Sequence, residues 1–368
     1  MACSIIYVLS RAFGDAFRKT GCYVTRHFFF PRKGVSRETM CGKRKVRMRC
    51  KSVKDIVDEA NRILFSENNA LFSSDVEYFF RGESMNFKRK DEGVDLPLDT
   101  SFPCYLDRDQ EYIDHERDFY QEAMRLNIAS FETDKTMVER VARMQHYQVP
   151  TRFCDLSSNV LMAAMFACGG GDTWNKDNRD NGYDGYIRVM KICKNRIKSF
   201  TSDIIAAIAH LPLVKRHNIN PSKLDGLSHL RYEITNSRPG FSLEISDFND
   251  GLQKAKEQLQ EEIQHVWPFK PIWNSERIRK QEGIFLAFGC KDNKEPLNPS
   301  FSLDDYENPN APSYGIAQID FIQIHFEYKK YIREELRYFG VPIESVYPDL
   351  SNASMEIGNR FKNPIKEK

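Results

Sequence analysis

The chain has 368 residues and carries 54 Lys and Arg against 52 Asp and Glu, a formal net charge of +2. Its 26 Phe and 16 Tyr supply ample apolar surface to bury, which excludes a chain that is disordered throughout. No run of about 18 apolar residues exists, so the sequence also excludes a membrane-spanning helix.

The charge is distributed unevenly along the chain. The first fifty residues carry 12 Lys and Arg but only two acids, Asp15 and Glu38, a local charge of +10. Residues 51–368 carry 42 basic and 50 acidic residues, a charge of −8. This body therefore lacks the basic footprint of a nucleic-acid-binding domain. We expect residues 1–50 to be a basic extension, either flexible or lying upstream of a true start at Met40 or Met48.

The five cysteines of the body are scattered and form no Cys-x-x-Cys pair. Cysteine-based zinc sites use such pairs, so we expect free, buried thiols in a reducing, cytoplasmic environment. The histidines likewise show no metal-binding spacing, and we expect no metal site. The five cysteines are Cys104, Cys154, Cys168, Cys193 and Cys290.

Helix and strand signals follow one another irregularly after residue 51. Apolar residues at helical spacing predict seven helices, the first capped by Ser52 and the fourth by Ser157 or Ser158. Runs of β-branched and aromatic residues predict four strands, the first of which ends in a turn at Arg81 and Gly82. The helices are expected at 52–65, 108–127, 134–147, 160–168, 203–211, 250–265 and 329–339, and the strands at 76–80, 186–192, 283–288 and 316–326.

This order of elements predicts an α+β fold rather than a regular array of βαβ units. No internal repeat is visible, and no linker divides residues 51–350. We therefore expect a single mixed domain at 51–352, with a central sheet and clustered helices. The basic extension precedes this domain, and a polar tail at 353–368 follows it.

Three stretches place polar side chains at the edges of apolar elements. Phe-Phe-Arg-Gly-Glu at 79–83 puts Arg81 after an apolar strand and before a glycine that allows close approach. Gln-His-Tyr-Gln-Val-Pro-Thr-Arg-Phe-Cys-Asp at 145–155 ends a helix, where a protonated imidazole is favoured. Its Arg152 and Asp155 are close enough in sequence for a local salt bridge. The third stretch, at 277–285, leads into a strand.

These stretches resemble the FRG domain family, which is named after its Phe-Arg-Gly motif. The motif at 145–155 and the small-residue helix at 161–167 carry most of the resemblance, which extends over about 52–352. The sequence departs from the family at Gln148, where glycine is usual, and at Phe153 and Cys154, which replace two leucines. The family is found mainly in bacteria and mobile elements, which implies a cytoplasmic role in defence or toxicity.

One hypothesis is an enzyme similar to the NAD-using ADP-ribosyltransferases, with an ADP-ribosyltransferase-like fold and NAD as its cofactor. This resemblance implies that Arg81 holds the NAD diphosphate and that Thr151 or Ser157 supports the nicotinamide ribose. Gln281 or Glu282 then takes the place of the catalytic glutamate. His146 is a candidate general base because its imidazole titrates near neutral pH.

Two other hypotheses remain open. The chain can be a non-catalytic module whose polar residues bind a nucleotide-like or anionic ligand, or these residues can form a buried structural network with the working surface elsewhere. In the network, Arg81 pairs with Glu83, with Asp155 or with a backbone carbonyl. The candidate ligand-binding residues are Arg81, Glu83, Gln145, Thr151, Arg152 and Asp155, and the candidate catalytic residues are His146, Gln281 and Glu282.

Overall fold

The computed structural model describes eleven parts of the chain, all within one compact unit, Arg47–Lys368. Residues 1–47, most of the helix predicted at 250–265 and the tail predicted at 353–368 lie outside them. In the described parts, no helix combines the length and apolar character needed to cross a bilayer. The described residues are 48–66, 75–84, 115–126, 128–146, 149, 151–169, 182–213, 261–272, 276–281, 283–290 and 297–343.

Eight strands lie within the described residues. They are β1 (Arg49–Cys50), β2 (Val76–Glu83), β3 (Phe153–Ser157), β4 (Gly185–Cys193), β5 (Lys198–Ser199), β6 (Val266–Lys270), β7 (Gly283–Phe288) and β8 (Ile316–Ile324). Together they form one mixed sheet in the order β1-β8-β4-β2-β3-β7-β6-β5. The outermost pairs, β1 with β8 and β5 with β6, are parallel, and the inner pairs are antiparallel.

The sheet divides into two halves between β2 and β3. These two strands share a single registered pair, Phe80 with Ser157, whereas every residue of β2 is registered with a residue of β4. The first half therefore contains β1, β8, β4 and β2, and the second contains β3, β7, β6 and β5. Beyond Phe80 the strands part, which leaves a fork in the sheet.

One face of the sheet curves around an apolar core that both halves share. Phe79 and Met190 from the first half belong to the same buried cluster as Leu156 and Leu286 from the second. The backbone N–H of Val266, on β6, also donates a hydrogen bond of 2.8 Å to the carbonyl of Pro312, which precedes β8. The two halves thus approach each other across a concave face.

Helices cover the opposite, convex face in two groups. The three helices over the first half contribute apolar residues to one core, and the helices over the second half contribute to another. The helices are α1 (Val53–Leu64), α2 (Glu116–Leu126), α3 (Met137–His146), α4 (Val160–Ala167), α5 (Asp203–His210), α6 (Glu276–Gln281), α7 (Leu303–Glu307) and α8 (Lys329–Tyr338). Of these, α1, α4 and α8 cover the first half, and α2, α3 and α5 cover the second.

The predicted fold class, α+β with one mixed sheet, is confirmed. Ser52 caps α1 as predicted, because its hydroxyl accepts a hydrogen bond of 3.2 Å from the N–H of Asp55. The cap predicted for α4 is wrong, since Ser157 belongs to β3 and Asn159 caps the helix. The turn predicted at Arg81 is also wrong, because β2 continues through Gly82 and ends at Glu83.

The folded body begins earlier than the predicted boundary at residue 51. Arg49 and Cys50 pair with the end of β8, and Cys50 is fully buried. Burial and the nearby charges of Asp55 and Glu59 raise the pKa of the Cys50 thiol to about 12. A two-residue strand carries no periodicity, so sequence patterns could not separate it from the basic extension.

Helix α4 packs directly against the backbone of β2 at Gly82. A Cβ atom at Gly82 would lie 1.9 Å from the carbonyl oxygen of Ala163 and 2.7 Å from the backbone nitrogen of Ala167. On the next strand, a Cβ atom at Gly185 would lie 2.2 Å from the carbonyl oxygen of Ala167. The two glycines therefore allow the close approach of the small-residue helix.

We expect Gly82→Ala to lower the free energy of unfolding by at least about 2–3 kcal/mol, because the obstructing atoms are helix backbone and cannot rotate away. The measurement is urea unfolding followed by circular dichroism. Gly340→Ala is the matched control, because no atom lies within 4 Å of its added Cβ, although its φ of +79° is strained for alanine. Equal losses of stability in the two variants would contradict the close packing of α4.

Candidate functional site

The concave face carries charged residues at the end of β2. Arg81 on β2 lies directly opposite Arg188 on β4. Like charges in this position repel, and the carboxylate of Glu83 lies between them. Arg188 donates from Nε to Oε1 at 3.0 Å and from Nη2 to Oε2 at 3.2 Å, and Arg81 Nε is 3.6 Å from Oε1. Glu83 thereby offsets one of the two positive charges, and its position between the guanidinium groups weakens their repulsion.

Gln318 completes this buried layer from β8. Its Oε1 atom accepts a hydrogen bond of 2.6 Å from Nη1 of Arg188. The side chains of Arg188 and Glu83 are each only 2% exposed. Since its members are held by several charge-assisted bonds and shielded from water, the layer forms a rigid support for Arg81.

Arg81 also reaches across the fork in the sheet. Its Nη1 donates to the backbone carbonyl of Asp155 at 3.0 Å and to Oδ1 of the same residue at 2.6 Å. Gln145, in the last turn of α3, donates from Nε2 to the same Oδ1 at 2.6 Å. The Arg81 guanidinium thus joins β2 to β3 where the backbone ladder has ended.

Arg81 and Asp155 are partly exposed members of this cluster. Their side chains are 20% and 24% exposed, while the layer behind them is buried. Burial acts to lower the pKa of Arg81, but its neighbours Cys154, Asp155 and Glu83 raise it above the ordinary value. The guanidinium therefore stays charged and presents a fixed positive group beside a carboxylate.

Gln145 holds a buried acceptor at this site. Among the described residues, its Oε1 atom has no hydrogen-bond partner. The amide orientation follows from its neighbour, because turning it around would place Oε1 against the Asp155 carboxylate. A buried acceptor without a donor costs free energy, so this atom suits a ligand that carries an N–H or O–H group.

Arg152 lies elsewhere, in the core of the second half. Its side chain is 1% exposed and makes two hydrogen bonds of 2.7 Å to the carboxylate of Glu116 on α2. Arg152 thus pairs with Glu116 rather than forming the local salt bridge predicted with Asp155, because it precedes β3 and its guanidinium lies against α2. Thr151 is also buried, and its hydroxyl bonds locally to the backbone of Phe153.

The structure places two of the three candidate catalytic residues, and these only at the level of the backbone. His146 is the last residue of α3 and directly follows Gln145. Gln281 ends α6, two residues before Gly283, while Glu282 lies outside the described residues. Gly283 pairs with Ser157, which pairs with Phe80, and Asp155 pairs with Phe285, so strand pairing brings the three predicted stretches together.

Sequence reasoning did not nominate Arg188 and Gln318. Both are polar residues inside apolar strands, Tyr-Ile-Arg-Val-Met at 186–190 and Ile-Ala-Gln-Ile at 316–319, and this departure was an available signal. The bonds of Arg188 to Glu83 and to Gln318 depend on strand register, which joins residues 105 and 130 positions apart.

We expect Arg152→Met to lower the free energy of unfolding by about 3–5 kcal/mol, because it leaves the Glu116 carboxylate buried without its partner. The double variant Arg152→Met, Glu116→Leu should lose less than the single variant, since it removes both charges. Urea unfolding of the single and double variants measures both effects. The control is Arg125→Met. Arg125 lies on the exposed face of α2, the helix that carries Glu116, and its replacement should leave the urea midpoint unchanged. A double variant less stable than Arg152→Met would contradict this account.

Comparison with known proteins adds one finding. The FRG domain model matches residues 77–176, which include β2, β3, α4 and the polar residues at the fork. No curated protein and no solved structure matches the chain significantly. The likeness to ADP-ribosyltransferases therefore stays a prediction, as does the extension of the family resemblance to 52–352. Over residues 77–176 the chain contains an FRG domain, as its motifs predicted.

Proposed function

We propose that the fork in the sheet binds a nucleotide-like ligand. The observation that carries this proposal is the buried Oε1 atom of Gln145, which lacks a donor among the described residues and lies beside the Asp155 carboxylate and the Arg81 guanidinium. The ligand presents an N–H or O–H group to Gln145 and Asp155. It presents an anionic group to Arg81.

The charges at the fork support a ligand with both kinds of group. A guanidinium offers a planar set of donors that matches phosphate or carboxylate oxygens. A carboxylate and an amide oxygen instead accept hydrogen bonds from ribose hydroxyls or a carboxamide. Nucleotides combine phosphates with such donors at short separation, whereas a simple inorganic anion supplies acceptors alone.

The buried layer supports the proposal by fixing Arg81 in advance. Glu83 and Gln318 hold Arg188, and Glu83 also lies 3.6 Å from Arg81 Nε. A side chain that is already ordered loses little conformational entropy when a ligand arrives, so more of the contact energy remains for affinity. Buried residues that hold a binding side chain in a fixed position, as this layer holds Arg81, are typical of binding sites.

ADP-ribosyl transfer from NAD is the second candidate function. The row formed by Phe80, Ser157 and Gly283 supports it, because this row brings the backbone near Gln281 towards the Arg81 stretch. In that reaction the bond between nicotinamide and ribose breaks, and an acceptor nucleophile attacks the ribose carbon. Gln281 or Glu282 then stabilises the positive charge that develops on the ribose. On this proposal the chain is an effector in bacterial defence or toxicity.

We expect NAD and ADP-ribose to bind the wild-type chain, and Arg81→Gln to weaken both affinities by about 10- to 100-fold through the loss of a charge-assisted contact. Gln145→Met should also weaken binding, because it removes the acceptor at similar volume. Isothermal titration calorimetry measures the affinities, and circular dichroism confirms the fold of each variant. Arg337→Gln, an exposed arginine on α8, is the matched control and should bind as the wild type does.

Two results would contradict the binding proposal. One is the absence of binding by both NAD and ADP-ribose. The other is an unchanged affinity in folded Arg81→Gln protein that has a lowered melting temperature. The second result supports the alternative hypothesis, in which the charged cluster is structural and the working surface lies elsewhere.

Enzymatic activity is tested by the release of nicotinamide from NAD. If the chain is a transferase, release exceeds the buffer blank and falls in both Arg81→Gln and Glu282→Gln, while Arg337→Gln keeps the wild-type rate. Chromatographic quantification of nicotinamide measures the rate. Binding without release restricts the function to a non-catalytic module.

A further inference from the structure

A second group of positive charges lies at the other end of β4. Four cations occur within eight residues, where the chain leaves β4 and enters β5. None of the four forms an ion pair with a carboxylate, as judged over the described parts of the chain. This absence is notable because the body as a whole carries more acids than bases. The four residues are Lys191, Lys194, Arg196 and Lys198.

Arg196 lies between two aromatic rings. Its guanidinium carbon is 3.7 Å from the ring centroid of Trp267, on β6, and 5.3 Å from that of Tyr314, which precedes β8. Trp267 is itself 5% exposed, and its indole N–H donates to the backbone carbonyl of Glu262 at 2.7 Å. Cation–π attraction therefore holds the guanidinium plane in place.

The hydrogen-bonding edge of Arg196 has no acceptor among the described residues. Its Nε and Nη2 atoms are buried and have no partner in the described structure. The same two atoms of Arg152 bond both oxygens of Glu116, and those of Arg188 bond both oxygens of Glu83. Arg196 thus presents the bidentate edge that other buried arginines of this chain fill with a carboxylate.

The electrostatics of Arg196 agree with this geometry. Burial lowers the pKa of its guanidinium, and the weaker influences of Tyr314, Glu262 and Cys193 do not restore it. Lys198 adds a second charge, because its Nζ lies 4.3 Å from the centroid of the same Trp267 ring. Arg196 and Lys198 both contact the Trp267 ring, and neither is paired with a carboxylate among the described residues. Two such cations favour the binding of an anion.

We propose that Arg196 and Lys198 form a binding subsite for a phosphate group. The guanidinium edge takes two phosphate oxygens, and the ammonium group of Lys198 neutralises the remaining charge. The aromatic rings exclude water from one side, which strengthens both contacts.

This subsite is separate from the fork. Arg188, which faces Arg81, is five residues from Cys193 at the end of β4, a span of about 17 Å along a strand. The phosphate proposal therefore does not rest on the proposed function at the fork. The phosphate can belong to a small molecule or to the backbone of a single-stranded nucleic acid, and the two sources are distinguished by experiment.

The test titrates the full chain at low ionic strength with inorganic pyrophosphate and, in a second arm, with a fluorescently labelled single-stranded oligonucleotide. We expect Arg196→Gln and Lys198→Gln each to weaken pyrophosphate binding by about 10-fold, the effect of losing one charge-assisted contact. Arg62→Gln and Lys54→Gln are matched controls, because they remove exposed cations of the same kinds that are already paired with acids. These controls should keep the wild-type affinity.

The outcomes decide the proposal even if Arg196→Gln fails to fold, because the half-buried Lys198 gives an independent variant. Oligonucleotide binding that falls in the same variants identifies a nucleic-acid backbone as the source, and oligonucleotide binding that does not change identifies a small phosphorylated molecule. The proposal is overturned if pyrophosphate does not bind. It is also overturned if Arg196→Gln and Lys198→Gln both bind pyrophosphate as tightly as the wild type does. A loss of affinity in the matched controls that equals the loss in these two variants overturns it as well.

Discussion

The charged cluster on the concave face of the sheet depends on one carboxylate, that of Glu83. This carboxylate lies between two arginines on adjacent strands. Arg81 and Arg188 face each other in register, and without an anion between them two guanidinium groups would repel in a region shielded from water. Glu83 offsets this repulsion, and Gln318 accepts a hydrogen bond from Nη1 of Arg188. Arg81 is consequently directed towards the fork, where it replaces the missing ladder between β2 and β3. The candidate site is thus a consequence of how the fold neutralises its own buried charge.

The Phe-Arg-Gly motif serves three different parts of this architecture, because successive residues of a strand point to opposite faces. Phe80 packs in the core under α1, α4 and α8, and it forms the last registered pair before the fork. Arg81 points to the concave face and carries the positive charge. Gly82 returns to the convex face, where the backbone of α4 leaves no room for a side chain. One short motif therefore sets the helix packing, the position of the fork and the charge within it.

The buried arginines of this chain differ in how their bidentate edges are filled. Arg152 and Arg188 each bond a carboxylate supplied by another element, which ties α2 to the residue that precedes β3 and ties β2 to β4. Arg196 has aromatic rings on its faces but no acceptor at its edge within the described residues. Since leaving a buried donor unbonded costs free energy, the first two arginines are explained by the stability of the fold. The third lacks such a partner, and it is the residue at which we propose a phosphate subsite.

The sequence by itself determined the helices and strands with strong apolar periodicity, the cap at Ser52, the mixed α+β class and the FRG domain. These features depend on neighbours a few residues away, which a single sequence displays directly. It also predicted that Arg81 pairs with Glu83 or Asp155, and the structure places Arg81 beside both. Only the tertiary structure decided that Arg152 bonds Glu116 and that Glu83 bonds Arg188. Those pairs depend on helix packing and strand register, which bring together residues 36 and 105 positions apart and leave no periodic trace in the sequence.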